Sequence, residues 1–219
     1  DAGKIANMYF KKENGTQWVN NLVNVVNDRI NVNGTVNAIQ NSKIGGNLIF
    51  LSKDGFAVGK SGVVNAGSLS VMTPTSEYFV KAGLASWVDG ATEDVANGAI
   101  DFINIFGANE SHVDIDAFQK TFLVNNWAEI KSMNVPINKT GTISIKGKIN
   151  TTEGIALKAA HIDIGENPNT GELAAAVLQT GVTNFSSLVN TSDIENYDAT
   201  LEIQQTASGD IVLEAVAGT

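Results

Sequence analysis

Near both ends of the chain, apolar and polar residues alternate in short bursts, each closed by Gly or Asn. Ile30-Asn-Val32 runs to a corner at Gly34, after which Val36 and Ala38 resume the alternation; Ile143-Ser-Ile145 runs to Gly147, with Ile149 beyond it. A period of two predicts half-buried strands, and Gly or Asn at the breaks supplies the positive φ that sharp corners need. The bursts are also related to one another. Gly34-Thr-Val36-Asn37-Ala38, Gly62-Val-Val64-Asn65-Ala66 and Gly147-Lys-Ile149-Asn150-Thr151 share the wording Gly-x-Val/Ile-Asn-Ala/Thr. A second pattern follows each copy, in Gly45 to Leu51, Gly67 to Met72 and Gly154 to Ala159, and returns in Gly209 to Ala215.

Units of roughly 20–30 residues that cannot bury a face alone suit a solenoid, in which parallel strands stack and close a core of Val, Ile and Leu. An antiparallel β-sandwich would also show short strands with Gly and Asn turns, so the pattern alone leaves both architectures open. The stacked arrangement makes definite expectations. Val32, Val36, Leu48, Phe50, Val64, Leu69, Ile145, Ile149, Leu157, Ile211 and Leu213 face inward, and Gly34, Gly62 and Gly147 occupy equivalent corners. Asn37, Asn65 and Asn150 also sit at equivalent corners, either in the left-handed conformation or in a hydrogen-bonded ladder.

The middle of the chain reads differently. From about Ser76 to Lys131 a period near 3.6 takes over. Thr92 caps a helix through Phe106 with Val95, Ala99, Ile103 and Phe106 on one stripe; Asp116 with Gln119 forms a capping box for a helix carrying Phe118, Phe122 and Trp127. A shorter helix starts at Ser76 and runs to Trp87. The organisation expected is a first β part over 1–75, a helical insertion over 76–133 and further β rungs over 134–219. The insertion's aromatics should bury most of their area against the β part or each other. Trp87, Phe106 and Trp127 are the candidates for contact with a partner wherever an aromatic stays exposed.

Composition narrows the chemistry. Fourteen basic against 23 acidic groups give a net charge of −9, and Arg29 is the only arginine, which argues against nucleic-acid partners and bidentate phosphate recognition. No apolar run approaches the roughly 18–20 residues of a membrane-spanning helix. The 21 glycines and 25 asparagines against 3 prolines fit many tight corners. With no cysteine there is neither disulfide nor thiolate metal site. The chain starts at Asp1 with no initiator Met and no leader, and so reads as a fragment of a longer or processed protein.

Motifs with chemical potential are few. Gly55-Phe-Ala-Val-Gly59-Lys60-Ser61 has its first glycine one residue too close for a phosphate loop, and Val58 and Val64 flank it as in a strand; no nucleotide is expected. His112, Asp114 and Asp116 alternate as ligands of a divalent cation could, though a polar lead into a helix capped by Asp116 explains them without metal. His161 falls at the end of a strand expected over Ile155 to Ile164, at a surface position. Glu93/Asp94 and Asp193/Glu195 carry no mark of an acid/base pair, and sequons at Asn14, Asn33, Asn138 and Asn190 are expected by chance in a chain rich in Asn and Thr. No catalytic constellation emerges, so neither an enzyme, a cofactor nor a metal is expected. The rival readings are a β-helical polysaccharide-degrading enzyme, which needs a lateral carboxylate or basic cluster, and a trimeric fibre segment.

The segment from Asn21 to Ser68 carries a resemblance. Asn21-Leu-Val-Asn-Val-Val26, Ile30-x-Val-x-Gly34-x-Val36, Gly46-Asn47-Leu-Ile-Phe-Leu51, Gly55-Phe-x-Val58-Gly59 and Val64-Asn-x-Gly67-Ser68 together resemble the secretion domain of filamentous-haemagglutinin-like exoproteins. Lys43-Ile-Gly-Gly-Asn47, Gly59-Lys60 and Asn65-Ala-Gly-Ser68 are most similar to the leukotoxin-type filamentous adhesins of that group, and Pro136 to Ser144 and Leu188 to Asp193 extend the likeness. The family's Asn-Pro-Asn-Gly turn is replaced by Ser52-Lys53-Asp54-Gly55, which keeps a glycine corner. The resemblance implies an all-β fold, a right-handed parallel β-helix; the helical insertion read in its middle from the 3.6 period is the part the likeness does not cover. It further implies a module of a secreted surface adhesin or leukotoxin-like protein of a Gram-negative-type (diderm) bacterium. An outer-membrane β-barrel transporter of the two-partner type would export it, and a host-cell receptor would be its target.

Overall fold

The computed structural model describes residues 2–11, 18–26, 28–81, 127–132, 135–165, 176–183, 185, 201–204 and 209–216. In chain order its strands begin with β1 (Ile5–Tyr9), β2 (Asn21–Val26), β3 (Ile30–Val32), β4 (Thr35–Gln40), β5 (Lys43–Ile44), β6 (Asn47–Ser52), β7 (Gly55–Val58) and β8 (Val63–Met72). Helices α1 (Ser76–Lys81) and α2 (Trp127–Ile130) follow, then β9 (Thr142–Ile145), β10 (Lys148–Ala159) and β11 (His161–Ile164). The last strands are β12 (Ala176–Gln179), β13 (Leu201–Gln204) and β14 (Asp210–Ala215). The described chain is mostly strand, and its sheets are parallel.

One sheet runs β1-β4-β8-β10-β12-β13, with a second row, β2-β6-β8-β10-β14, sharing the long strands β8 and β10. Their first halves pair with β4 and β12, their second halves with β6 and β14. The other sheet is β3-β7-β9-β11. Among the described residues the antiparallel contacts are the β4–β5 hairpin and the bridges Lys11↔Trp18 and Pro74↔Ile137. An antiparallel sandwich is therefore not what the alternating bursts build. Neither sheet closes on itself. The chain does visit the rows in a fixed order: β3, β4 and β6; then β7 and the two halves of β8; then β9 and the two halves of β10.

The register reproduces the sequence repeats. Val36 pairs with Val64 and Val64 with Ile149; Asn37 pairs with Asn65 and Asn65 with Asn150. Gly34, Gly62 and Gly147 occupy equivalent corners, their carbonyls accepting from the backbone N–H of Val63, Lys148 and Val177. The corners are so close that a Cβ on Gly147 would overlap the Gly62 carbonyl oxygen. Leu48, Phe50, Phe56, Val58, Val64, Leu69, Val71, Ile143, Ile145, Ile149, Ile155 and Leu157 form one buried core. Ile49, Leu51, Ser70, Met72 and Ala156, on the opposite face of β6, β8 and β10, are fully buried too. Of these strands β6 (Asn47-Leu-Ile-Phe-Leu-Ser52) carries an apolar run to match, whereas β8 and β10 keep Ser, Thr, Asn and Lys among their apolar residues.

Several expectations need correcting. Leu213 is 41% exposed, because β14 lies at the end of its row with no strand stacked beyond it among the described residues. Val36 and Ile211 are half-buried and pack against the core. The strand expected from Ile155 to Ile164 bends at Ala160, and His161 to Ile164 join the other sheet, with His161 exposed. Asn37, Asn65 and Asn150 lie within strands rather than at corners, and among the described residues the positive-φ positions other than Gly are Asn41 and Ser42, at the tip of the β4–β5 hairpin. Helix α1 does begin at Ser76, as expected, with Thr75 as its cap, the Thr75 Oγ1 accepting from Tyr78 N at 3.2 Å; the stretch expected to continue it from Ala82 to Trp87 lies outside the described residues. The helices expected from Thr92 to Phe106 and from Asp116 up to Trp127, like His112, Asp114 and Asp116, lie outside the described residues. The departure and return of the chain are clasped: Thr75 N donates to Pro136 O at 3.0 Å and Asn138 N to Thr73 O at 2.7 Å.

Candidate functional site

Ser52 to Gly55 form the corner that carries the chain from β6 in the large sheet to β7 in the small one. Ser52 is fully buried. Its Oγ accepts from Gly55 N at 3.1 Å and lies 2.7 Å from Gly55 O and 2.9 Å from Asp28 O, so its one proton serves either carbonyl. Gly55 has φ +115°, and a Cβ there would overlap the Thr142 carbonyl oxygen in the next strand of the sheet. Only glycine meets both conditions. From the other side Asn138 Nδ2 donates to Lys53 O at 3.1 Å, while Asn138 Oδ1 accepts from Thr140 N at 3.2 Å. The corner is thus stapled to the turn before it, at Asp28, and to the one after it, at Asn138. What it shows to solvent is the exposed side chain of Asp54 and the half-buried one of Lys53.

Two polar ladders run along the large sheet. Asn37 Nδ2 donates to Asn7 Oδ1 at 3.1 Å, Asn65 Nδ2 to Asn37 Oδ1 at 2.9 Å, and Asn150 Nδ2 to Asn65 Oδ1 at 3.0 Å. The sequence separations are 30, 28 and 85 residues, so the column continues unbroken across the chain's long excursion. In the second row Asn47 Nδ2 donates to Asn21 Oδ1 at 2.8 Å, and Ser68 Oγ to Asn47 Oδ1 at 2.8 Å. The next two positions of that column are Gly154 and Asp210.

Trp127 takes the space that Gly154 leaves: a Cβ on Gly154 would overlap the indole. Its Nε1 donates to Asp210 Oδ2 at 3.2 Å, and Lys131 Nζ reaches the same oxygen at 2.5 Å. The Lys131 hydrogen bond, then the Trp127 one, hold the Asp210 carboxyl below its usual range. Trp127 is half-buried on the β part, while Trp87 and Phe106 lie outside the described residues.

A groove of about 510 Å³ opens at the seam of the two rows, between the β4–β5 hairpin and Val182, Thr183 and Phe185. Gly46, Gly67, Lys43, Glu153 and Phe185 are among the residues that line it. Its size suits a ligand, but its lining holds one carboxylate and no histidine. The phosphate-loop-like stretch from Gly55 to Ser61 is strand β7 followed by a turn, as its flanking valines suggest. Among the described residues no group of three or more His, Asp or Glu could hold a metal ion, and no helix is long and apolar enough to cross a membrane.

Sequence reasoning missed two contacts. Phe10 is fully buried against Gly46, which has φ +82° and no room for a side chain beside the ring. The Gly45-Gly46 pair was a visible corner signal, but nothing pointed to Phe10 as its occupant. The Trp127–Asp210–Lys131 cluster joins residues 79 and 83 positions apart and left no local trace. No protein-family model, no curated protein and no solved structure matches the chain.

Proposed function

We propose that the chain is a right-handed parallel β-helix and serves as a secretion and structural module of a large secreted adhesin or leukotoxin-like exoprotein. An outer-membrane β-barrel partner of a diderm bacterium exports it. The observation that carries the β-helix is the register: three copies of one sequence unit pair strand on strand, with glycines over glycines and asparagines over asparagines. The fixed order in which the chain visits its three rows supports a coil, and crossovers between parallel strands are right-handed in nearly all proteins. The export reading rests on the resemblance of Asn21 to Ser68 and on the Ser52–Gly55 corner, whose buried serine and strained glycine hold Lys53 and Asp54 at the surface.

The physical logic is consistent. A parallel stack grows by adding one strand to a finished edge, so folding outside the cell needs no nucleotide. A chain without cysteine cannot be trapped by a disulfide while it crosses unfolded. The test is co-expression with a β-barrel transporter of the two-partner type, with secretion read in the culture medium. Secretion that requires the transporter supports the reading. Retention in its presence, with the protein intact in the periplasm, removes it. The charge swap Lys53→Asp with Asp54→Lys keeps Gly55 and the fold, and should lower secretion if the transporter reads this corner.

A further inference from the structure

We infer that helix α2 and strand β14 attach to the β stack as one unit, so that the end of the excursion is held down only when the C-terminal strand is in place. Neither element is stable by itself. A four-residue helix is far below the length at which a helix forms alone. Strand β14 has a ladder on one side among the described residues, and Leu213 within it and Val216 just after it are exposed. What joins them is a three-residue cluster. Asp210 Oδ2, at the head of β14, accepts from both Trp127 Nε1, at the start of α2, and Lys131 Nζ, in the turn just after it.

The column beneath explains why the contact forms here. Its earlier positions, Asn21, Asn47 and Ser68, carry side chains that bond to one another along the row. Gly154 interrupts that ladder, and the indole of Trp127 fills the gap. Without Trp127, Asp210 would face an empty step in the column. Without Asp210, the indole N–H and the Lys131 ammonium would lose the acceptor they share. Ile130, fully buried, is carried into place by the same docking. The coupling works between residues 79 and 83 positions apart, so it acts only after nearly the whole chain has folded. It stands independently of any export route.

Hydrogen exchange followed by mass spectrometry on the full chain tests this. Asp210→Ala should speed exchange in residues 127–132, and Trp127→Ala should speed it in residues 210–215. Each change should be about three- to tenfold, the scale of one lost charge-assisted contact at a half-exposed site. Each variant should loosen the element it does not belong to, while exchange across 47–52 and 63–72 stays as it was. If Trp127→Ala loosens 127–132 and leaves 210–215 unchanged, the two elements dock separately and the inference fails. Should Trp127→Ala also loosen 63–72, Lys131→Met replaces it: accelerated exchange in 210–215 supports the coupling, and unchanged exchange there overturns it.

Discussion

Single atoms decide several features of this protein. At Gly55 both the backbone (φ +115°) and the neighbouring Thr142 carbonyl exclude a Cβ. Gly55→Ala should therefore cost at least about 2–3 kcal/mol, a combination of positive-φ strain and displaced backbone, measurable as a lowered urea midpoint. An unchanged midpoint would mean that the corner relaxes freely. Asn65 is fully buried and both donates and accepts in its ladder. Asn65→Leu would strand Asn37 Oδ1 and Asn150 Nδ2, and about 2–4 kcal/mol of lost stability is expected from two unsatisfied buried groups. Asp210 brings a pH dependence. Its folded pKa is depressed, so the folded state binds fewer protons than the unfolded one as the carboxyl titrates. Its contribution is present above the unfolded value and fades as pH falls through the lowered folded one. The difference in urea midpoint between wild type and Asp210→Asn should thus be largest above the ordinary carboxylate range and shrink as pH falls below it; a pH-independent difference would show that the carboxylate charge is not what matters.

For the elements, position in the row matters more than residue type. Leu69 and Leu213 follow the same glycine-led pattern in the sequence, yet one lies mid-stack and fully buried while the other is exposed at the end of its row. Leu69→Ala should cost about 2–5 kcal/mol, from lost burial and the cavity left between β6 and β10. Leu213→Ala should cost under about 1 kcal/mol. Thermal melts of the two variants, run side by side, check the contrast; equal losses would mean that β14 is covered in solution. The long strands show a second effect of position. Between Thr151 and Gly154 strand β10 holds one residue more than β8 does between Ala66 and Ser68, and the register shifts there. A bulge of this kind keeps both halves of the strand facing inward while the sheet bends between its rows.

Across the whole molecule, the ties between the excursion after Pro74 and the stack that the described residues show are the Thr75–Pro136 and Asn138–Thr73 clasp at its mouth and the Trp127 docking on Gly154. The core columns of β4, β6, β7, β8, β9 and β10 need none of these contacts. Deleting residues 77–131 should preserve the strand signal in circular dichroism while lowering the melting temperature, since Gly154 and Asp210 lose their cover. Loss of the strand signal would make the excursion part of the core.

The strands and their mutual register were legible in the sequence because both are local and repeated. Gly34, Gly62 and Gly147 set the corners, and the valines and asparagines after them specify which residue stacks on which, since a slip of one position would turn every inward side chain outward. The asparagine ladder could be foreseen for the same reason, although its place within the strands, rather than at the corners, could not. That depended on where each corner's hydrogen bonds begin the next strand. What only the tertiary structure decided is the burial of the second face and the ends. Ile49, Leu51 and Met72 alternate with core residues and by periodicity belong to solvent, but they are buried by what packs over them. Phe10 against Gly46 and Trp127 with Lys131 on Asp210 are single contacts between distant segments. Repetition announces a contact made many times over, whereas a contact made once, across 80 residues, is settled only when the folded chain brings its two sides together.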